Sequence, residues 1–194
     1  MPAEPNTRTS PADERHGHLA ISVWSTDDAD EMGAYWSRNR DHLAPTQPGR
    51  AATFWTVGGQ RFRVEASADE VAAGRLMPLL VREDGDIVGD VILSNMIRGA
   101  FCSGSLGYNV DGARLRRGIA TWAVGAAVDI SFADLNLHRL QAGTLLDNVA
   151  SQGVLRRCGF ERIGVARDYL AIAGEWRDHV LWQRVDPAVV PPTA

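Results

Sequence analysis

The chain has 194 residues, 45% of them apolar and 23% charged, as in one globular domain with a sizeable core. Its net charge of −4 excludes bulk attraction to nucleic acid. All 20 basic residues are arginine, which excludes a Walker-type P-loop, a Schiff-base lysine and a lysine general base together.

Residues 1–17 are rich in Pro, Ser, Thr and charge and are expected to form a disordered arm. They lack the charged-then-apolar layout of a signal peptide, and no apolar run reaches the roughly 18 residues that cross a bilayer. "HGH" (16–18), at the end of the arm, could bind metal, but ordinary ligand-spacing patterns disfavour it. Cys102 and Cys158 form neither a metal motif nor a disulfide framework. The expectation is a cytoplasmic protein without metal.

"LAISVWS" (19–25) reads as a first strand. Ser25 or Thr26 can cap a helix over 27–40, whose early acids suit the helix dipole. "HLAPTQPG" (42–49) reads as a loop because of its prolines. A weak helical pattern lies within 50–75, interrupted by Gly58-Gly59. "LMPLLVRE" (76–83) and "DIVGDVILS" (86–94) form a hairpin around "EDGD", and "CSGSLGYNV" (102–110) is a third strand of this group.

A helix over 117–133 follows, with Ile119, Trp122, Ala123, Ala126, Ile130 and Ala133 at helical spacing. "HRLQAGTL" (138–145) is a strand. Asn148 opens a helix that Gly159 stops, with Val154, Leu155 and Cys158 on one face. Residues 160–172 and 175–185 close the domain as a hairpin, and 186–194 read as a loose tail. The class is α/β of the α+β type: a mixed, mostly antiparallel sheet with flanking helices in one domain, 18–185.

"RLRRGIATWAV" (114–124) sets three arginines at a helix entrance, where the dipole is already positive. An anion held there resolves the conflict, and a strand, a Gly-containing turn and a helix N-terminus make a seat for one. The turn does not match G-x-G-x-x-G, which disfavours a dinucleotide cofactor. The alternative is a solvated arginine cluster.

"RLRRGIAT" with "LHRLQAGTLLDNVASQGVLRRCGFERIG" resembles the GNAT acetyltransferases. "NRDHLAPTQP" (39–48), "SNMIRGAFCSGSLGY" (94–108) and "DYLAIAGEWRDHVL" (168–181) narrow the likeness to the RimJ side of the RimJ/RimL branch. It spans roughly 19–185. It implies a GNAT sheet splayed at a CoA site, with acetyl-CoA as cosubstrate and no metal. The acceptor it implies is an amine: a protein N-terminus, ribosomal in the first instance, or a small molecule such as an antibiotic. A CoA-binding regulator without catalysis is a third reading. The oligomeric state is monomer or homodimer.

The resemblance also assigns residues. The loop Leu115, Arg116, Arg117, Gly118, Ile119, Ala120 and Thr121 would hold the CoA pyrophosphate, with Arg114 adding charge. Leu115 departs from the family's Gln or Arg. A main-chain N–H near Tyr108, Asn109 or Val110 would polarise the thioester carbonyl. Asn148 would bind the pantetheine arm, and Ser151 would assist the departing thiolate; their ordinary roles are a helix cap and a first-turn residue.

The family's glutamate base falls on Leu170. Asp168 is the nearest carboxylate; its alternative role is an ion pair with an arginine. Glu83, Asp90 and Glu175 also qualify, as do His138 and His179, whose other reading is structural. Cys158 reads as a buried, inert thiol, which favours direct transfer. The acceptor is expected to enter over Asn39, His42, Leu43 and Trp176, with Trp36 and Trp55 as further candidates.

Overall fold

The computed structural model describes residues 8–9 and 17–191. Most of the expected arm, including His16, and residues 192–194 lie outside the described residues. Arg8–Thr9 are not loose: they form strand β1, paired antiparallel with β2 (Leu19–Val23).

Helices α1 (Ala29–Arg38) and α2 (Arg40–Leu43) follow, then α3 (Val57–Ala66) and α4 (Ala68–Ala72). Ser25 and Asp28 form a reciprocal capping box that starts this layer. The expected loop at 42–49 begins as helix instead. Leu43 ends α2, and a 3-10 turn, Ala44–Thr46, carries Pro45 in its first positions, where a missing N–H costs nothing. Nor do Gly58 and Gly59 break the next helix. They sit in the first turn of α3, where Thr56 caps the Gly59 N–H.

Strands β3 (Met77–Glu83), β4 (Asp86–Ile97) and β5 (Ser103–Val110) are antiparallel neighbours. After α5 (Ile119–Asp129), a π-helical turn over Ile130–Asp134 ends the helix, so Ala133 faces solvent rather than the core. Strand β6 (Arg139–Leu145), helix α6 (Val149–Arg157) and the hairpin β7 (Glu161–Ile172) and β8 (Glu175–Val185) complete the chain. The sheet order is β1-β2-β3-β4-β5-β6-β8-β7. Every pairing is antiparallel except β5 with β6.

Alternation along β3 sends Leu79 and Val81 to one face and Leu80 to the other. The first face packs under α5 and α6 through Ile119, Ala123, Ala127 and Leu155. The second packs under α1 and α3, where Trp24, Met32, Tyr35, Trp36, Trp55 and Val64 form a separate cluster. Trp36 and Trp55 are therefore core residues, not entrance residues. Trp36 meets Phe54 and Trp55 edge-on at 4.9 and 5.9 Å.

The parallel junction positions the site. β5 pairs with β6 only over Ser103–Ser105, opposite Arg139–Gln141. Beyond Ser105, β5 keeps β4 as its partner and parts from β6. The register break between β4 and β5 falls between Ser94 and Ile97, where Asn95 takes a left-handed conformation, opposite Gly104 of β5.

Candidate active site at the splay of β5 and β6

Where β5 and β6 part, a cleft of about 1670 Å³ opens. It exceeds the 300–1,000 Å³ or so of an ordinary small-molecule pocket. Tyr108–Val110, the turn after β5, the first turn of α5 and the Leu145–Ser151 region line one part. His42, Leu43, Pro45 and Thr46 line another.

The turn after β5 is braced before it is charged. Asp111 accepts from the Ala113 N–H at 2.9 Å and pairs with Arg38 Nε at 2.8 Å. Burial pushes the Asp111 carboxyl up, but these donors outweigh it and hold it below the usual carboxylate value. Asn39 Oδ1 accepts from the Gly112 N–H at 2.9 Å while its Nδ2 donates to the Tyr35 carbonyl. Asn39, expected at the acceptor entrance, is thus a buried brace of this turn. The His42 ring also packs within 3.1 Å of where a Gly112 side chain would begin.

Arg116 (φ 61°) and Gly118 (φ 86°) both take left-handed backbone. Glycine enters that region without the steric cost of a Cβ. Gly118 starts α5 without a side-chain cap, and Ile119, Ala120 and Thr121 line the cleft. The first-turn N–H groups, which a helix cannot satisfy itself, border that space.

The arginines divide. Arg114 and Arg117 reach the same buried carboxylate, Glu83, at 3.0 and 2.8 Å. Arg114 and Arg116 line the cleft; Arg117 does not. Charge at the helix entrance is therefore partly balanced within the protein. Glu83 is an anchor for the loop, and its two arginine pairs replace the base reading made from sequence. Leu115 lines the cleft and is exposed.

Across the cleft, Asn148 caps α6 by accepting from the Ser151 N–H at 3.0 Å. Ser151 Oγ lies 2.7 Å from Tyr108 Oη, which also donates to the Ser151 carbonyl at 3.2 Å. Burial pushes the Tyr108 phenol up to about 12. Sequence spacing gives no hint of this contact, because the partners lie on different elements.

The other candidates are dispersed. Asp168 is exposed in a bulge of β7, φ 48°, and its N–H donates to Asp178 Oδ1 at 3.0 Å. No arginine pairs with it among the described residues, and it does not line the cleft. Trp176 is 67% exposed on β8, outside the lining, and Leu170 is exposed on β7. His179 is buried, with Nδ1 2.9 Å from the Arg177 carbonyl, and His138 Nδ1 lies 3.1 Å from the Asp186 carbonyl. The buried Cys158 thiol lies 3.4 Å from the Thr121 carbonyl, and burial pushes its pKa up. Sequence reasoning missed Asp147 and Arg177, which face each other at 3.8 Å at the cleft. Only their convergence across the β6–α6 connection and β8 marks them.

Asp90 is buried and its carboxyl is pushed up, by burial first, against the lowering effects of Arg63 and Asn109. It accepts from Asn109 Nδ2 at 2.8 Å.

The domain model described as "Acetyltransferase (GNAT) domain" matches residues 18–161. The [Ribosomal protein uS5]-alanine N-acetyltransferase of Escherichia coli is 31% identical over 175 residues, 89% of this chain and 90% of that protein. The probable N-acetyltransferase YjcK of Bacillus subtilis is 35% identical over 162 residues, 82% of this chain and 90% of its own. RimJ of Mycobacterium smegmatis, solved with CoA-disulfide, superposes with a TM-score of 0.88 at 29% identity, covering 94% of this chain and 88% of that one. With the splayed sheet and the glycine-led helix beside the cleft, these matches place the chain in the GNAT family, as an N-acetyltransferase.

Proposed function

We propose that the chain transfers the acetyl group of acetyl-CoA directly to the N-terminal α-amine of a protein, first of all an alanine-starting ribosomal protein. The observation that carries the cosubstrate reading is the cleft itself: its border is an uncapped, glycine-led helix N-terminus flanked by Arg114 and Arg116. Main-chain N–H groups and guanidinium groups in this arrangement suit a pyrophosphate. The acceptor reading is supported by the names of the relatives, the E. coli uS5-alanine enzyme among them.

Bound acetyl-CoA supplies an activated thioester. The residues do the rest. Gly118–Thr121 and Arg116 would hold the phosphates, and Arg114, which also lines the cleft, would add charge to them. Asn148, whose Oδ1 is taken by the Ser151 N–H, would offer its Nδ2 to the pantetheine arm. Where β5 has lost β6, a main-chain N–H of Tyr108–Val110 would polarise the thioester carbonyl. The Tyr108–Ser151 hydroxyl pair would deliver a proton to the departing thiolate, and a phenol held near 12 keeps its proton at neutral pH.

An α-amine has a pKa near 8, so about a tenth of it is already unprotonated at neutral pH and the base has only modest work to do. Asp168, exposed and outside the lining, would act only through water. Cys158 is buried behind the cleft lining, its thiol against the Thr121 carbonyl, which supports direct attack over an acyl-enzyme.

The test is CoA release from acetyl-CoA with Ala- and Ser-starting peptides and a panel of amine drugs. Turnover with the peptides alone is expected. Turnover with drugs alone would move the acceptor to small molecules, and failure of acetyl-CoA to bind would remove the cosubstrate reading.

A further inference from the structure

Asp90 and Asn109 stand directly opposite each other in β4 and β5, so their side chains share one face of the sheet. Tyr108, next along β5, points the other way, toward Ser151 and α6. The face shared by Asp90 and Asn109 is the one covered by α1 and α3. Asp90 is 1% exposed, and its Oδ2 has no hydrogen-bond partner among the described residues, although Arg63 lies 3.6 Å away. Arg63 is held over the rings of Trp24, Trp36 and Phe54 at 4.5, 5.3 and 5.4 Å. A carboxylate so placed costs desolvation that an apolar residue would avoid.

What the carboxylate does is fix an amide. Asn109 has one donating and one accepting end, and Asp90 Oδ1 accepts with the group ionised or with its proton on Oδ2. Nδ2 must therefore face Asp90, at 2.8 Å, which turns Oδ1 to Gln47 Nε2 at 2.6 Å. An amide oxygen has two lone pairs, and Gln47 uses one. Asn109 lines the cleft along the stretch where β5 has parted from β6. The adjoining lining comes from His42, Pro45 and Thr46, next to Gln47 in the chain. A nucleophile arriving on this face would meet a thioester held against the β5 main chain from the side opposite Ser151.

We propose that Asn109 Oδ1 accepts an N–H of the acceptor amine, and that Asp90 is the positioning residue that keeps this oxygen turned toward it. This rests on the acetyl-transfer reading above. The bond orients the amine lone pair toward the carbonyl carbon. It takes no proton away.

The experiment is steady-state kinetics on the whole chain with Asn109→Ala, Asp90→Asn and the double variant, using acetyl-CoA and the amine that the wild type turns over best. Asn109→Ala should raise the acceptor KM about tenfold, the effect of one lost hydrogen bond. The acetyl-CoA KM should stay within about twofold, since no cosubstrate contact is removed. Asp90→Asn should raise the acceptor KM by itself, because the Asn109 amide is then free to turn over. In the Asn109→Ala background it should add nothing to the acceptor KM. A merely structural pair would lower the melting temperature and kcat and leave the acceptor KM unchanged, which overturns the proposal. So does an Asp90 effect that persists without Asn109. If Asp90→Asn does not fold, an unchanged acceptor KM in Asn109→Ala alone overturns it. A wild type inactive on every amine overturns the transfer reading and this inference together; an active wild type with unaltered variants overturns only the inference.

Discussion

Ser151 and Tyr108 form a hydroxyl pair 2.7 Å apart, although 43 positions separate them in sequence. Ser151→Ala should slow kcat by roughly tenfold to a hundredfold, at or below the lower end of the usual general-acid contribution, and leave the acetyl-CoA dissociation constant nearly unchanged. A thiolate is a good leaving group, so the loss stays moderate. Single-turnover rates beside calorimetric binding would show this split. Burial raises the Tyr108 phenol to about 12, so it remains a proton donor well above neutrality. The rate should therefore rise with pH as the acceptor amine loses its proton, near pH 8 or so, with no alkaline fall from Tyr108 below about pH 10. An alkaline fall at lower pH that Tyr108→Phe abolishes would contradict that. At this scale the sequence was readable by residue type and not by partner. Asn148 and Ser151 stood out as cap and first turn, but nothing near them pointed to Tyr108. Asn39 was read as an entrance residue because its string resembles relatives, yet burial and the Gly112 N–H make it a brace.

The strand–turn–helix element from β5 to α5 was legible because its glycine, arginines and apolar run are consecutive. Its anchor was not, since Glu83 closes the β3 strand far earlier in the chain. Glu83→Gln should cost about 1–3 kcal/mol of stability, the typical penalty when a charged hydrogen-bonded partner is removed, measured by chemical denaturation. Gly118→Ala should cost about 1–2 kcal/mol, because an L-residue must enter left-handed backbone there. It should also weaken acetyl-CoA binding more than acceptor binding. Asp111 supplies a pH signature. Its folded pKa is depressed, so its stabilisation is complete above the ordinary carboxylate value and is lost as pH falls through the depressed one. The stability gap between wild type and Asp111→Asn should be flat from about pH 8 to pH 5 and shrink below about pH 4.

At the scale of the molecule, strand and helix order followed from periodicity and turn residues, because each element carries its own hydrophobic pattern. The parting of β5 from β6 came only from the family resemblance and not from any local pattern, because it depends on where a non-local pairing stops. The two separate cores, which moved Trp36 and Trp55 from the entrance to the interior, did not follow from periodicity either. Binding at that parting should stabilise the whole fold: acetyl-CoA at a hundredfold excess over its dissociation constant adds about 2.7 kcal/mol, seen as a raised melting temperature. The most direct test of the account uses a peptide that begins with alanine and carries an internal lysine. It is incubated with the protein and acetyl-CoA, and the modified nitrogen is mapped by fragmentation mass spectrometry. The account predicts acetyl on the α-amine of the alanine and none on the lysine. Acetyl on the lysine alone, or CoA bound with neither amine modified, would contradict it.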